Sequence, residues 1–362
     1  MDNHFFILVG AAPSTSPSNN PGGQLTMSIG ICESIASLGY RTEVIDTLQA
    51  SFPLPSFRAR LKRGLFRIYQ LVRLLNKGGA KGVIILSANG PSFYERILLA
   101  GLCRLYHVKS VFFMLSGPFI REMERSWIAR TLAKKLLNLP DFIGIQGDSW
   151  RPFYRKLGVK EERLVTIRNW LPCDFVPAEN PIACNSHDVV RFCFVGWLIE
   201  EKGVRELFEA IKTLAKEYPF DFVFVGGGTL HAELDEKIKQ SNLSARVKVT
   251  GWVDSRNVYN YLKNAHIFIL PSKAEGFPLA LLEAMSIGLP SICTNVGAIA
   301  DTLINDGNGY LLKSGGSECI AEAMQCYLIN PELILRHSIE ALRIVKQKHS
   351  RSENSKRLLA IF

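Results

Sequence analysis

The sequence predicts an α/β protein of two Rossmann-like, parallel-sheet domains. Three observations carry that expectation. Short apolar runs of strand length alternate with segments of helical period along the whole chain, the pattern of parallel sheets with crossover helices. The 362 residues suit two domains at roughly 150 residues each. The alternation also lapses once, in a Pro/Asn/Ser-containing stretch over 172–187, and then restarts, so a linker is expected there. With 47% hydrophobic and 21% charged residues, each half can bury a core, which excludes a wholly disordered chain.

In the first half, strands are expected at 5–9, 42–45, 82–86, 110–114, 142–145 and 164–167. Between the first two, Ile29, Ile31, Ile35 and Leu38 recur at helical spacing, and Gly39 supplies a C-terminal stop. The opening run Phe5-Phe6-Ile7-Leu8-Val9 has no basic segment before it and leads into a Ser/Asn/Pro/Gly loop. It therefore reads as a first buried strand and not as a signal segment, and the expected location is the cytoplasm. No apolar run reaches the roughly 18 residues of a spanning helix. In the second half, strands are expected at 189–195, 221–225, 247–250, 266–270 and 291–294, with helices at 205–217, 230–240 and 278–287. From 318 the chain reads helical to its end, broken near Asn330-Pro331. Two such halves are expected to leave a cleft at the carboxyl ends of both sheets, where ligands bind in these folds. The eight cysteines include no C-x-x-C pair, and several sit in apolar runs, as Cys193 and Cys293 do. Free thiols of a reducing compartment fit them better than disulfides or zinc, and no metal site is expected.

The formal net charge is +10 and lies entirely in the first half: residues 1–184 hold 23 basic and 13 acidic side chains, the remainder 20 of each. No acidic residue occurs between Asp46 and Glu95, a window holding Arg58, Arg60, Lys62, Arg63, Arg67, Arg73, Lys77 and Lys81. Leu61, Leu65, Phe66, Ile68, Leu71, Leu74 and Leu75 are interleaved near helical spacing, which predicts a basic amphipathic helix. Such a helix serves as a solvated surface element, a dock for anionic lipid headgroups or a nucleic-acid contact. The missing helix-turn partner, aromatic RNA-binding motif and finger spacing argue against nucleic acid. The acid-free window with its apolar stripe favours an anionic membrane surface, over Arg58 to Lys77. Residues 121–137 repeat the theme with Arg125, Arg130, Lys134 and Lys135, diluted by Glu122 and Glu124.

Three loops of the second half carry candidate chemistry. In Val195-Gly196-Trp197-Leu198-Ile199-Glu200-Glu201-Lys202-Gly203 a strand ends in glycine, and Lys202 stands before a helix, where an ammonium meets phosphate as a point charge. Gly226-Gly227-Gly228 reads as a tight strand-to-helix turn; His231 stands where a dinucleotide fingerprint needs glycine. The third loop, Pro271-Ser272-Lys273-Ala274-Glu275-Gly276-Phe277-Pro278-Leu279, is the strongest signal. It joins a strand to a helix whose first N–H groups, around Gly276 to Leu279, suit an anion, and Pro278 suits the first helical position. Glu275 can reach a ligand at the helix tip. Glu283, among Leu281, Leu282, Ala284 and Met285, is a carboxylate on an apolar helix that ligand hydroxyls would satisfy.

Together these residues resemble the retaining nucleotide-sugar glycosyltransferases of family 4, which have the GT-B fold. The resemblance covers nearly the whole chain and is densest over 195–315. It implies that Glu275 contacts the donor sugar, Glu283 its ribose and Lys202 its diphosphate. It likewise implies that Gly251-Trp252-Val253 lies beside the nucleobase and that Pro21-Gly22-Gly23-Gln24 closes over the diphosphate. Asn295-Val296-Gly297 and Asp306-Gly307-Asn308-Gly309 match later loops of the family, and Ile167-Arg168-Asn169 its segment before the linker. Two positions depart from the pattern: Trp197 stands where the family has an arginine, and Ser116, followed by Gly117, where it has a histidine.

The resulting expectation is a retaining glycosyltransferase that moves a sugar from a nucleotide diphosphate sugar to a hydroxyl acceptor, with no metal or other cofactor. Glu275 and Lys202 are the catalytic pair. Donor contacts fall on Gly22, Gly23, Gly196, Trp197, Gly251, Trp252, Lys273, Gly276, Phe277, Pro278, Leu279 and Glu283, and acceptor contacts on Ser116, Gly117 and Asn169. Residues 1–180 form the acceptor-binding domain and 181–340 the donor-binding domain. Residues 341–362 are expected as a C-terminal helix packing back on the first. The acceptor is expected to be a glycan or a lipid-linked intermediate of cell-surface assembly, with no nucleic-acid partner. An epimerase or phosphorylase on the same scaffold, and a non-catalytic nucleotide-sugar-binding membrane scaffold, are the rival readings.

Overall fold

A computed structural model of the chain describes residues 4–12, 23–48, 56–171, 175–185 and 188–362. The chain divides into two units, Met1–Cys173 with Arg351–Phe362, and Asp174–Ser350.

Unit 1 is built on six parallel strands: β1 Phe5–Gly10, β2 Arg41–Asp46, β3 Ala80–Ser87, β4 Ser110–Met114, β5 Phe142–Ile145 and β6 Leu164–Thr166. Their order across the sheet is β2-β1-β3-β4-β5-β6. Strands β1 and β4 are buried along their whole length and β3 from Gly82 onward, as the near-continuous apolar runs of a parallel sheet require. The crossovers are α1 Gly23–Ser37, α2 Phe57–Asn76, α3 Pro91–Leu105, α4 Pro118–Arg125, α5 Trp127–Leu136 and α6 Arg151–Lys156. Ser56 caps α2 and Ser126 caps α5, each hydroxyl accepting from the N–H three residues on. The helix read into the basic window is α2, but its inner face is narrow. Gly64, Arg67, Leu71 and Leu75 are buried, whereas Leu61, Leu65, Phe66 and Ile68 stay exposed.

Unit 2 repeats the plan with β7 Val190–Val195, β8 Phe220–Val225, β9 Val247–Val249, β10 Ile267–Leu270, β11 Ser291–Thr294 and β12 Gly309–Leu312, in the order β12-β11-β10-β7-β8-β9, all parallel. Its helices are α7 Val204–Leu214, α8 His231–Gln240, α9 Ser255–Lys263, α10 Leu279–Ser286, α11 Ser317–Ile329 and α12 Leu333–Lys348. Sequence reading missed β12, whose three apolar residues after Gly309 are too few to show a period, and α9, whose polar composition hides a helix capped by Asp254. The helical run from 318 breaks twice, at Asn330 to Glu332 and again at His349-Ser350.

The chain returns to unit 1 as α13, Arg351–Leu359. Leu358 and Ile361 enter the core cluster of unit 1, and the Phe362 ring meets Phe6 edge-on at 5.4 Å. Gly82 makes room for this: a Cβ there would lie 2.0 Å from the Phe362 ring. Among the described residues no helix is long and apolar enough to cross a membrane.

Candidate functional site

The order of strands in unit 2 places four loops side by side at the carboxyl edge of the sheet, those following β10, β7, β8 and β9. In the first pair, Lys202 ends a 3-10 turn, Glu200–Lys202, after β7, and Glu275 lies in the loop between β10 and α10. Their side chains meet: Lys202 Nζ donates to Glu275 Oε1 at 2.6 Å, with 22% and 11% of the side chains exposed. The backbone imposes this approach. Gly203, at φ +70°, packs so close to Pro271 that a Cβ would sit 2.3 Å from its carbonyl oxygen. Gly297, at φ +59°, passes equally close beneath the carbonyl oxygens of Glu275 and Gly276. Only glycine supplies both the left-handed conformation and the space.

Lys273 is oriented differently from a free phosphate ligand. Its ammonium donates to Glu200 Oε1 at 2.5 Å and lies 2.8 Å from Glu206 Oε1, while its backbone N–H donates to the Glu201 carbonyl at 2.7 Å. These bonds raise the Lys273 pKa, with the hydrogen bond to Glu200 as the largest cause. The loop carrying Glu275 is thereby stitched to the loop carrying Lys202. Sequence reading named Lys273, and Glu200 as part of the loop before Lys202, but paired Lys273 with neither Glu200 nor Glu206, because nothing local links positions 200 and 206 to 273.

Pro278 is the cap of α10 and not its first helical residue; its extended backbone (φ −73°, ψ 122°) directs the chain into the helix at Leu279. Gly276 accepts from Ala298 N–H at 2.8 Å, and Phe277 is buried against His349, the rings stacked at 5.0 Å. Glu283 is part-buried between the buried Leu282 and Ala284, and burial pushes its carboxyl pKa up to about 7. A carboxyl with that pKa is poised to change its protonation state near neutrality.

Farther along the edge, Gly226 and Gly251 pair as an isolated bridge, with Gly226 N–H donating to Gly251 O at 3.1 Å. Trp252 is half-exposed above Gly227, where a Cβ would lie 2.5 Å from its indole nitrogen, and it meets the Trp197 ring edge-on at 4.8 Å. Trp197 follows Gly196 and fills the arginine position with an aromatic brace. The edge thus runs from a charged pair at β10 and β7 to an aromatic pair at β7 and β9.

In unit 1, Ser116 Oγ donates to Asn89 Oδ1 at 2.7 Å, a partner sequence reading missed, and Gly117 precedes α4. Asn169, the third expected acceptor contact, is buried, its amide oxygen accepting from Gln146 at 3.1 Å. Gly23 begins α1. Gly22 lies outside the described residues.

Residues 185–344 match the family model described as glycosyl transferases group 1. The chain is 37% identical over 134 residues to a putative teichuronic acid biosynthesis glycosyltransferase of Bacillus subtilis; that match spans 37% of this chain and about a third of the relative's length (32%). It is 24% identical to an uncharacterized glycosyltransferase of Haemophilus influenzae across 92% of both chains. Among solved structures, sucrose-phosphate synthase from Thermosynechococcus elongatus superposes with a TM-score of 0.79 over 98% of this chain and 97% of that one, at 17% identity. The protein has the GT-B fold, and residues 185–344, within its second unit, match the group 1 glycosyl transferases.

Proposed function

We propose that the protein transfers a sugar from a nucleotide diphosphate sugar to a hydroxyl acceptor with retention of anomeric configuration. The observation that carries this reading is the Lys202–Glu275 pair, held at 2.6 Å by two glycines that nothing larger can replace. Donor diphosphate arriving at Lys202 takes the ammonium's charge, and Glu275, released from that bond, orients the sugar hydroxyls. The N–H groups opening α10 at Leu279 and Ala280 add fixed dipoles toward the departing phosphate. No D-x-D metal motif occurs in the sequence, and the diphosphate charge is assigned to Lys202 and these dipoles, without a metal or other cofactor. The acceptor oxygen forms its bond to the anomeric carbon on the face from which the diphosphate leaves. The C–O bond to phosphate breaks, and the acceptor proton passes to the leaving phosphate oxygen. Glu283 accepts from ribose hydroxyls, and Trp252, braced by Trp197, stands at the base end.

Unit 1 is assigned the acceptor, with Ser116 and Gly117 at its loop. The Bacillus relative is named for teichuronic acid biosynthesis, and this chain is assigned an acceptor in glycan assembly, a glycan or a lipid-linked intermediate. The basic face of α2 is assigned to the anionic cytoplasmic membrane surface. Incubating the protein with radiolabelled nucleotide sugars tests the reading. Release of free nucleotide, even by slow hydrolysis, together with a rise in Tm on adding nucleotide, is expected. Nucleotide binding without any release indicates a non-catalytic binder; neither response indicates that the site is misassigned.

A further inference from the structure

We propose that α5 is a second lipid contact of unit 1, with Trp127 and Ile128 entering an anionic membrane surface next to the acceptor loop. The inference rests on the membrane assignment of α2 and extends it to a separate element. In α5 only Ala133 is buried, while Trp127, Ile128 and Leu132 are 69%, 62% and 42% exposed. Two of these large apolar side chains open the helix, and Arg130, Lys134 and Lys135 follow, all exposed, with no acidic residue in the helix. A tryptophan at one end and cations along the rest is the distribution that suits a lipid–water interface, where the indole sits at headgroup level and the cations meet anionic lipid.

The packing of unit 1 links this helix to α2 through α4 and α3. Both α2 and α4, the helix that leads into α5, dock on the first turns of α3. From α2, Arg67 makes a two-pronged bond with Glu95 at 2.6 and 2.8 Å. From α4, Phe119 packs on Phe93 at 4.8 Å, and Glu122 accepts from Gly90 N–H at 3.0 Å. Ser126 alone separates α4 from α5. The acids that dilute the basic pattern in the sequence are therefore partly spent inward, since Glu122 serves the start of α3. Asn89, the partner of Ser116, immediately precedes Gly90, so the acceptor loop adjoins the same docking point. An acceptor held in the bilayer reaches that loop without leaving the surface on which α2 and α5 rest.

The test uses the full chain with vesicles of phosphatidylcholine alone or mixed with anionic phosphatidylglycerol, carrying brominated acyl chains. Wild type is expected to partition only onto anionic vesicles, with part of its tryptophan emission quenched by bromine. Trp127→Phe removes that quenching. Trp127→Ala with Ile128→Ala lowers the partition coefficient about tenfold, whereas Ile339→Ala, at an exposed apolar position of unit 2, leaves it unchanged. Slow hydrolysis of a nucleotide sugar in the absence of vesicles is unchanged in all three, which excludes misfolding. If wild type binds anionic vesicles but Trp127 is neither quenched nor needed, the role of α5 is overturned and that of α2 stands. If wild type ignores anionic vesicles, or prefers RNA or an acidic protein to them, both membrane assignments are overturned while the transfer reaction is untouched.

Discussion

The two units handle charge in opposite ways. In unit 2 the cations near the proposed chemistry are matched within a few ångströms: Lys202 by Glu275, Lys273 by Glu200 and Glu206, and Arg205 by Glu200 and Glu233. In unit 1, α2 carries six basic residues and no acidic one, and the ion pair of its buried Arg67 reaches outside the helix to Glu95. Matched charge holds side chains in one geometry at little long-range field, which suits positioning. Unmatched charge on an exposed helix produces a field that salt screens, which suits attraction to a polyanionic surface. The net charge of the whole chain conceals this division, and the charge of each half reveals it.

The largest effect expected from breaking the contrast is in unit 2. Lys202→Ala should cost about 2–4 kcal/mol in transition-state stabilisation, read from kcat/KM, because the leaving diphosphate then faces backbone dipoles alone. Trp197→Arg should restore part of that loss if the added cation turns from Trp252 toward the phosphates; no restoration would show that the position serves the base end only.

Next comes Glu283. Glu283→Ala should weaken donor binding by roughly 1.5–3 kcal/mol, measured by titration calorimetry. Its pH dependence has a definite sign. The folded pKa of about 7 lies above the ordinary carboxyl value, so the folded protein retains a proton that the unfolded chain has lost. Stability of the ligand-free protein should therefore fall as pH rises through the interval between the two values. Donor affinity should change in the other direction, weakening as pH drops below about 7, because the protonated carboxyl is a poorer acceptor for two hydroxyls. Glu283→Gln should flatten both profiles.

Smaller effects sharpen the unit 1 side. Each charge removed from Arg58, Arg60, Lys62 or Arg63 should cost about 1 kcal/mol of binding to anionic vesicles, and the loss should shrink as salt is raised. Equal binding to neutral vesicles would remove the electrostatic basis. A change of similar size is expected at Lys273. If it is a stitch between loops, Lys273→Ala should cost about 1 kcal/mol in kcat/KM, and adding Glu206→Gln should recover much of it by removing the carboxylate left without its cation. A severe loss that Glu206→Gln does not touch, beside a nearly normal Lys202→Ala enzyme, would move the phosphate role to Lys273.

Much of this was legible before any coordinates. The strand runs, the linker region, the loop from Pro271 to Leu279 and the acid-free window are local features, and local features obey periods of two or 3.6 residues and the turn preferences of glycine and proline. Their failures are local too: β12 is too short to show a period and α9 too polar to show a face. What sequence by itself determined is the type of most elements and a set of candidate residues for chemistry. Which of them touch was decided by the strand order. Lys202 and Glu275 stand 73 positions apart, and they meet because β10 lies beside β7 and because Gly203 and Gly297 let backbones approach where any side chain would collide. Likewise, the apolar residues of α2 share one pattern along the chain, but only Leu71 and Leu75 find a core to enter. Exposure of Leu61, Leu65 and Phe66 is a property of the packed unit, since burial depends on what the rest of the fold places opposite a helix and not on the helix itself.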